Sequence, residues 1–155
     1  MADIVETAEA AKRSAPALSW RTVILVAGDA ASFLVFAGVG RQQHGETSGL
    51  SALANIAVTA VPFALGWFLV SPWVGAYRRR LTDGVRRMLP RTELAWLASF
   101  PAAYLLRFLF VGVGSTPTEA ITFGIVILLS NAVFLGIWRG AFAAIEGWLK
   151  RRQDA

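Results

Sequence analysis

Four long apolar stretches, separated by short polar or basic segments, make up most of the chain. Residues 50–77 and 120–138 contain no charged side chain, and residues 22–40 and 94–113 contain one each. A helix needs about 20 apolar residues to cross about 30 Å of hydrocarbon, and each stretch is long enough. The pattern therefore predicts an all-α integral membrane protein in which four membrane-spanning helices pack as a bundle.

The boundaries of the predicted segments follow from the prolines, turn residues and charges between the stretches. The helices are predicted over about residues 20–40, 52–77, 91–113 and 118–140. Residues 1–19 form a tail before them. Residues 141–155 form an amphipathic basic tail that either continues the fourth helix or lies flat on the membrane surface. Pro62 is expected to kink the second helix or to free one of its carbonyl groups.

Composition narrows the classes of function. Of the 155 residues, 55% are hydrophobic, so the tails and loops leave no room for a water-soluble catalytic domain. The chain has no cysteine, which excludes disulfides, thiolate metal sites and cysteine nucleophiles. No Ser/His/Asp arrangement, paired carboxylates or phosphate loop is visible. We therefore expect no enzymatic activity, no metal and no cofactor.

The net charge of +5 comes from basic residues beside the ends of the spans. Three basic residues before the first span, six between the second and third, and four at the end contrast with Arg41 alone in the remaining loops. By the positive-inside rule, both termini and the loop over residues 78–91, which we call the basic loop, are cytoplasmic. We expect a multi-pass protein of the inner (plasma) membrane, and the same topological explanation argues against nucleic-acid binding.

Two charged residues inside the spans, Asp29 and Arg107, are the first candidate functional residues. A charge in the hydrocarbon core costs at least about 2.5–3.5 kcal/mol. Counted at 1.5 Å per residue, Asp29 lies about 13 Å from the inner end of its span, close to the midplane, and Arg107 lies about 24 Å from that end. Three alternatives remain open for Arg107: a direct pair with Asp29, snorkelling to the outer head groups, or another partner.

Polar residues on two other spans extend this candidate intramembrane site. Asn55, Thr59 and Pro62 recur at helical spacing on one face of the second span, and Asn131 lies in the fourth. Such side chains either line a cavity or form hydrogen bonds between packed helices.

Arg41 and His44, just after the first span, form a candidate outer mouth. His44 is the only histidine in the chain. It acts either as a pH-sensitive group or as a solvated loop residue. Without further ligands it cannot build a zinc site.

Several short motifs occur along nearly the whole chain. They are Gly28–Asp29, FAGVGRQQH over residues 36–44, VPFALGW over 61–67, Gly75 to Tyr77, Leu106–Arg107, Phe123, and GIWR over 136–139. In order and spacing they resemble an uncharacterised prokaryotic membrane-protein family, domain of unknown function 3054. The resemblance implies a four-span membrane protein and brings no known activity. It also implies that a set of polar, aromatic and proline positions belongs to the family pattern: Asp29, Arg41, His44, Pro62, Trp67, Arg107 and Arg139.

Two functional hypotheses follow. The one we favour is a small oligomeric transporter or permeation unit for a small solute or ion. In it, Asp29 titrates or binds the solute, Arg107 is the counter-charge, and Arg41 with His44 forms the outer mouth. The alternative is a non-enzymatic accessory or assembly subunit of a larger membrane complex, with Asp29 and Arg107 as pins between helices. The expected partners are the lipid bilayer, further copies or a larger complex, and anionic lipid head groups at the basic loop.

Overall fold

The computed structural model describes residues 19–42 and 50–154, with side chains described over 19–40 and 52–154. Within these ranges every long element is an α-helix, and a short 3-10 helix, η1, lies between the second and third. The helices are α1 (Trp20–Gln42), α2 (Leu50–Val74), η1 (Arg79–Leu81), α3 (Val85–Phe110) and α4 (Pro117–Gln153). The prediction of an all-α protein with four long helices is confirmed.

All four helices are long and apolar enough to cross a membrane. The candidate spans are Trp20–Gly40, Ala52–Val74, Val85–Phe110 and Pro117–Gln153. In the most apolar part of each span, no more than 33% of the residues are buried inside the bundle. Most apolar side chains therefore face outward, as expected where the surrounding solvent is hydrocarbon. The chain is a multi-pass membrane protein.

The helices pack in chain order around the bundle, and α4 closes the circle against α1. Among the described residues, the diagonal pairs α1/α3 and α2/α4 have no close backbone approach. Large aromatic rings bridge these diagonals. The centroid of the Phe33 ring lies 5.8 Å from that of Trp96, and the centroid of Phe63 lies 6.4 Å from that of Phe123. Aromatic side chains therefore fill the axis of the bundle.

Small residues allow the close packing of α2 against α3. A Cβ atom at Gly66 would lie only 2.4 Å from the Cα atom of Ala103, so this backbone separation requires glycine. Trp96 then ties α3 to α4, because its indole N–H donates to the carbonyl of Leu128 over 2.9 Å. Tyr104 makes a second tie by donating to the carbonyl of Ala120 over 2.6 Å.

The end of α2 and the start of α4 carry local stop and start signals. Gly75, with φ at 84°, ends α2, and the N–H of Ala76 folds back onto the carbonyl of Ser71 over 3.0 Å. At the start of α4, the Thr116 hydroxyl accepts from the N–H of Glu119, whose carboxylate accepts from the N–H of Ser115. This is a reciprocal capping arrangement.

Two helix ends differ from the predicted boundaries by more than three residues. α4 runs unbroken through residues 141–153, so this segment continues the fourth helix. α3 begins at Val85 rather than at about residue 91, so Pro90 lies inside the helix. Both Met88 and Thr92 are fully buried, and packing of this turn outweighs the one backbone hydrogen bond that the proline removes.

Candidate functional site

A buried ion pair between Asp29 of α1 and Arg139 of α4 is the centre of the candidate site. The Nε atom of Arg139 lies 2.8 Å from Oδ1 of Asp29, and its Nη2 atom lies 2.6 Å from Oδ2. This is the two-pronged geometry in which guanidinium and carboxylate groups bind most strongly. Both side chains are 0% exposed. Charges withdrawn from water in this way require further hydrogen bonds to offset their lost hydration.

Two aromatic residues from the α2 region complete the surroundings of the carboxylate. The Tyr77 hydroxyl donates to Oδ2 of Asp29 over 2.7 Å, and the Trp67 indole N–H donates to the same oxygen over 3.0 Å. The Cζ atom of Arg139 lies 5.0 Å from the Trp67 ring centroid and 4.9 Å from that of Tyr77. Both aromatic residues therefore stabilise the pair. They donate hydrogen bonds to the anion and place their rings in cation–π contact with the cation.

Two arginines also satisfy carbonyl groups at the end of α2. The Nη1 atom of Arg139 donates to the carbonyl of Ala76 over 2.8 Å, and Nη1 of Arg91 donates to that of Val74 over 3.1 Å. The last carbonyls of a helix have no partner within the helix and carry partial negative charge. These arginines therefore fix the end of α2 to α3 and α4.

The ion pair lies near the end of α2. Its contact with Ala76 places it level with the end of α2, where the basic loop begins. About 33 Å of α4 separates Pro117 from Arg139 at 1.5 Å per residue, which is about one hydrocarbon thickness. The pair therefore lies closer to the basic-loop end of α4 than to its start, and the placement of Asp29 close to the bilayer midplane stays a prediction.

A second polar cluster joins α1, the basic loop and α4 beyond the ion pair. Arg21 places its Nε atom 3.0 Å from Oε1 of Glu146, and its Nη2 atom donates to the carbonyl of Thr82 over 3.0 Å. Further out, Lys150 lies 2.6 Å from Asp83. The hydrogen bond and charge of Lys150 lower the pKa of the exposed Asp83 carboxyl below its ordinary value.

The other residues of the predicted intramembrane site do not gather around Asp29. Asn55 is exposed on the outside of α2, and the Thr59 hydroxyl donates to the Asn55 carbonyl within the same helix over 3.0 Å. Asn131 is fully buried in α4, where its amide donates to the carbonyl of Ile127 over 3.1 Å.

Arg107 lies far from Asp29. Its Cζ atom is 5.4 Å from the ring centroid of Phe123. About 24 Å of α4 separates Phe123 from Arg139 at 1.5 Å per residue, so a direct pair between Asp29 and Arg107 is out of reach. Asp29 instead has Arg139 as its partner.

The predicted outer mouth lies mostly beyond what the structure describes. His44 and the side chain of Arg41 fall outside the described residues, and their proposed role stays a prediction. Sequence reasoning also missed how Arg139 acts. By the positive-inside rule, Arg139 is one of the four basic residues at the end of the chain that indicate orientation, whereas its side chain is completely buried. The family pattern, which includes Trp67 and Arg139, was the available signal.

The hydrogen-bonding atoms of the ion pair are all engaged. Both oxygens of Asp29 accept hydrogen bonds, and each of the three guanidinium nitrogens of Arg139 donates to the carboxylate or to Ala76. Over residues 19–42 and 50–154, no group of three or more His, Cys, Asp or Glu side chains could hold a metal ion.

Comparison with known proteins agrees with the resemblance drawn from the motifs. The model of the family described as "Protein of unknown function (DUF3054)" matches residues 26–142, a range that includes both members of the ion pair. No curated protein and no solved structure shows significant similarity to the chain. With its four apolar helices and a match over most of its length, the chain belongs to the DUF3054 family.

Proposed function

We propose that the protein is a non-enzymatic accessory subunit of a larger membrane complex, in which the Asp29–Arg139 pair is an internal pin that holds the helices in register. The observation that carries this proposal is the closure of the site. Every oxygen of Asp29 is bonded and both charged side chains are completely buried, so neither has a free position for a solute.

The face of α2 that points away from the bundle supports the proposal of a partner within the membrane. Asn55 is exposed there, among apolar side chains such as Leu53 and Val58. Asn55 lies near the start of the candidate span Ala52–Val74, and polar side chains of this kind commonly bond across helix–helix interfaces. A helix of another subunit packed on this face would satisfy the amide of Asn55.

Native mass spectrometry of the protein, extracted from its own membrane in mild detergent, tests the accessory role. We expect a complex of fixed stoichiometry that contains a second polypeptide. Asn55→Leu should weaken the complex without lowering the melting temperature of the protein, whereas Val61→Leu on the same helix should leave it intact. Recovery of the homo-oligomer alone would contradict the proposal.

Transport is the second candidate, and one specific observation favours it. The ion pair lies level with the end of α2, between the apolar interior and the basic loop, which is where a gate would stand. A gate must break and reform its pair, so it needs both charges. A structural pin can be replaced by apolar side chains of similar size.

A double variant separates the two candidates. In Asp29→Leu/Arg139→Met, the accessory role predicts a folded protein that still enters the complex. Proteoliposomes loaded with a pH-sensitive dye and potassium chloride provide the flux measurement. Flux by the wild type that disappears in the folded double variant would establish transport and overturn the accessory role, whereas equal traces from both proteins and empty vesicles would reject transport of these ions.

A further inference from the structure

An open pocket lined by arginines lies where the basic loop enters α3. We call it the arginine pocket, and its lining residues are Arg80, Leu81, Arg86, Arg87, Pro90 and Arg91. Its volume is about 450 Å³. Four guanidinium groups therefore surround one concave site, over a floor that includes the side chains of a leucine and a proline.

The positive charge of this pocket is not neutralised within the described part of the chain. Of the carboxylates on this end of the molecule, Asp83 pairs with Lys150 and Glu146 pairs with Arg21. Glu93 lies beside Gly136 of α4 instead. None of the four pocket arginines forms an ion pair with a described residue. Like charges held close together without a counter-ion repel one another, and a bound anion would relieve this repulsion.

The position of the pocket points to the membrane surface. Arg91 donates to the carbonyl of Val74, which places this side of the pocket level with the end of α2. Trp73, the preceding residue, is 85% exposed, and exposed tryptophans concentrate at the level of lipid head groups. This level is that of the phosphates of one leaflet, and Leu81 and Pro90 add apolar surface to the lining of the pocket.

We propose that the arginine pocket binds the head group of an anionic lipid that carries two phosphates, such as a diphosphatidylglycerol. Guanidinium groups bind phosphate oxygens in pairs, so four of them match two phosphates better than the single phosphate of phosphatidylglycerol. Clusters of basic residues next to the cytoplasmic end of a membrane helix commonly bind anionic head groups. The proposal stands apart from the accessory role, because it concerns lipid and requires no protein partner.

Competition between lipids, read by native mass spectrometry of the full chain in detergent, tests the proposal. The wild type is offered diphosphatidylglycerol together with enough phosphatidylglycerol to equal its charge. We expect the two-phosphate lipid to be retained selectively. Arg86→Gln/Arg87→Gln should lower that retention about 25-fold, since each basic residue near the surface contributes roughly fivefold to binding. Both residues are exposed, so we expect the variant to fold. Its melting temperature checks this.

The matched control removes two equally exposed arginines at the same end of the molecule. Arg151→Gln/Arg152→Gln changes the net charge by the same amount and lies outside the pocket. It should keep the selectivity of the wild type. Equal loss in both variants, or equal retention of the two lipids at matched charge, would overturn the proposal in favour of general electrostatic attraction. Displacement of the lipid by millimolar inorganic phosphate would also overturn it, since the ligand would then be a soluble anion.

Discussion

The indole ring of Trp138 lies in the space that a side chain at Gly28 would occupy. A Cβ atom on Gly28 would be 1.9 Å from two carbon atoms of that ring. The missing side chain lets α4 approach the backbone of α1. Because Asp29 and Arg139 are the next residues along their chains, the same close approach brings the short carboxylate within reach of the guanidinium group.

Adding a methyl group at this contact should therefore weaken the bundle. We expect Gly28→Ala to cost about 1–3 kcal/mol of unfolding free energy, the range found when extra atoms are forced into a packed core. Reversible unfolding in mixed detergent micelles measures the change. Gly38→Ala on the same helix is the control, because its new methyl group would meet only one atom, at 3.9 Å. Equal losses at both positions would show that the Trp138 contact does not set the helix spacing.

Removing one member of the ion pair should be more harmful than removing both. Asp29→Leu or Arg139→Met leaves a buried charge without its partner, and such changes cost about 3–5 kcal/mol. The double variant Asp29→Leu/Arg139→Met should recover most of that loss, because well-packed apolar side chains often replace a buried pair without penalty. Unfolding free energies of the three variants, measured as a double-mutant cycle, give the coupling. Simple additivity would refute a direct interaction.

The hydroxyl of Tyr77 should stabilise the pair through its hydrogen bond to Asp29. Tyr77→Phe keeps the ring beside Arg139 and removes the donor, so we expect a loss of about 1.5–3 kcal/mol, typical of a hydrogen bond to a charged group. Trp73→Phe provides the control, since Trp73 is 85% exposed and makes no hydrogen bond to a described residue. A Tyr77→Phe protein as stable as the wild type would show that the hydroxyl does not stabilise the ion pair.

The Asp83–Lys150 pair should give a small dependence of stability on pH. The pKa of Asp83 is lower in the folded protein than its ordinary value of about 3.9. Its contribution is therefore fully present above about pH 4 and is lost as the pH falls through the folded value. Below pH 4, the melting temperature of the wild type should decline slightly more steeply than that of Asp83→Asn. Parallel curves would show that the exposed pair adds nothing.

The absence of cysteine from the chain makes its orientation directly measurable. The distribution of basic residues predicts that the loop between α3 and α4 is outside and that the end of α4 is cytoplasmic. In intact cells, a membrane-impermeant maleimide should label Ser115→Cys at once. It should label Gln153→Cys only after permeabilisation. The reverse pattern would overturn the predicted topology.

Much of the architecture was predictable because it depends on local composition. The four helices are recognisable from the uncharged runs alone, and the predicted start at residue 20 coincides with the first residue of α1. The predicted start of α3 at about residue 91 was too late, because the buried neighbours Met88 and Thr92 hold a helical turn that contains Pro90. For the candidate site, Asp29 was recognisable by the cost of its charge, whereas its partner was not.

The sequence by itself determined that this protein crosses a membrane four times, since the transfer of each stretch into hydrocarbon depends only on residues next to one another in the chain. Only the tertiary structure decided which charge neutralises Asp29. Arg139 is 110 residues away along the chain, and its contact depends on the order of helices around the bundle and on the faces they turn inward. Arg107 is closer along the chain but lies toward the opposite end of the helices. A contact of this kind is set by the joint packing of all four helices, and no local pattern contains it.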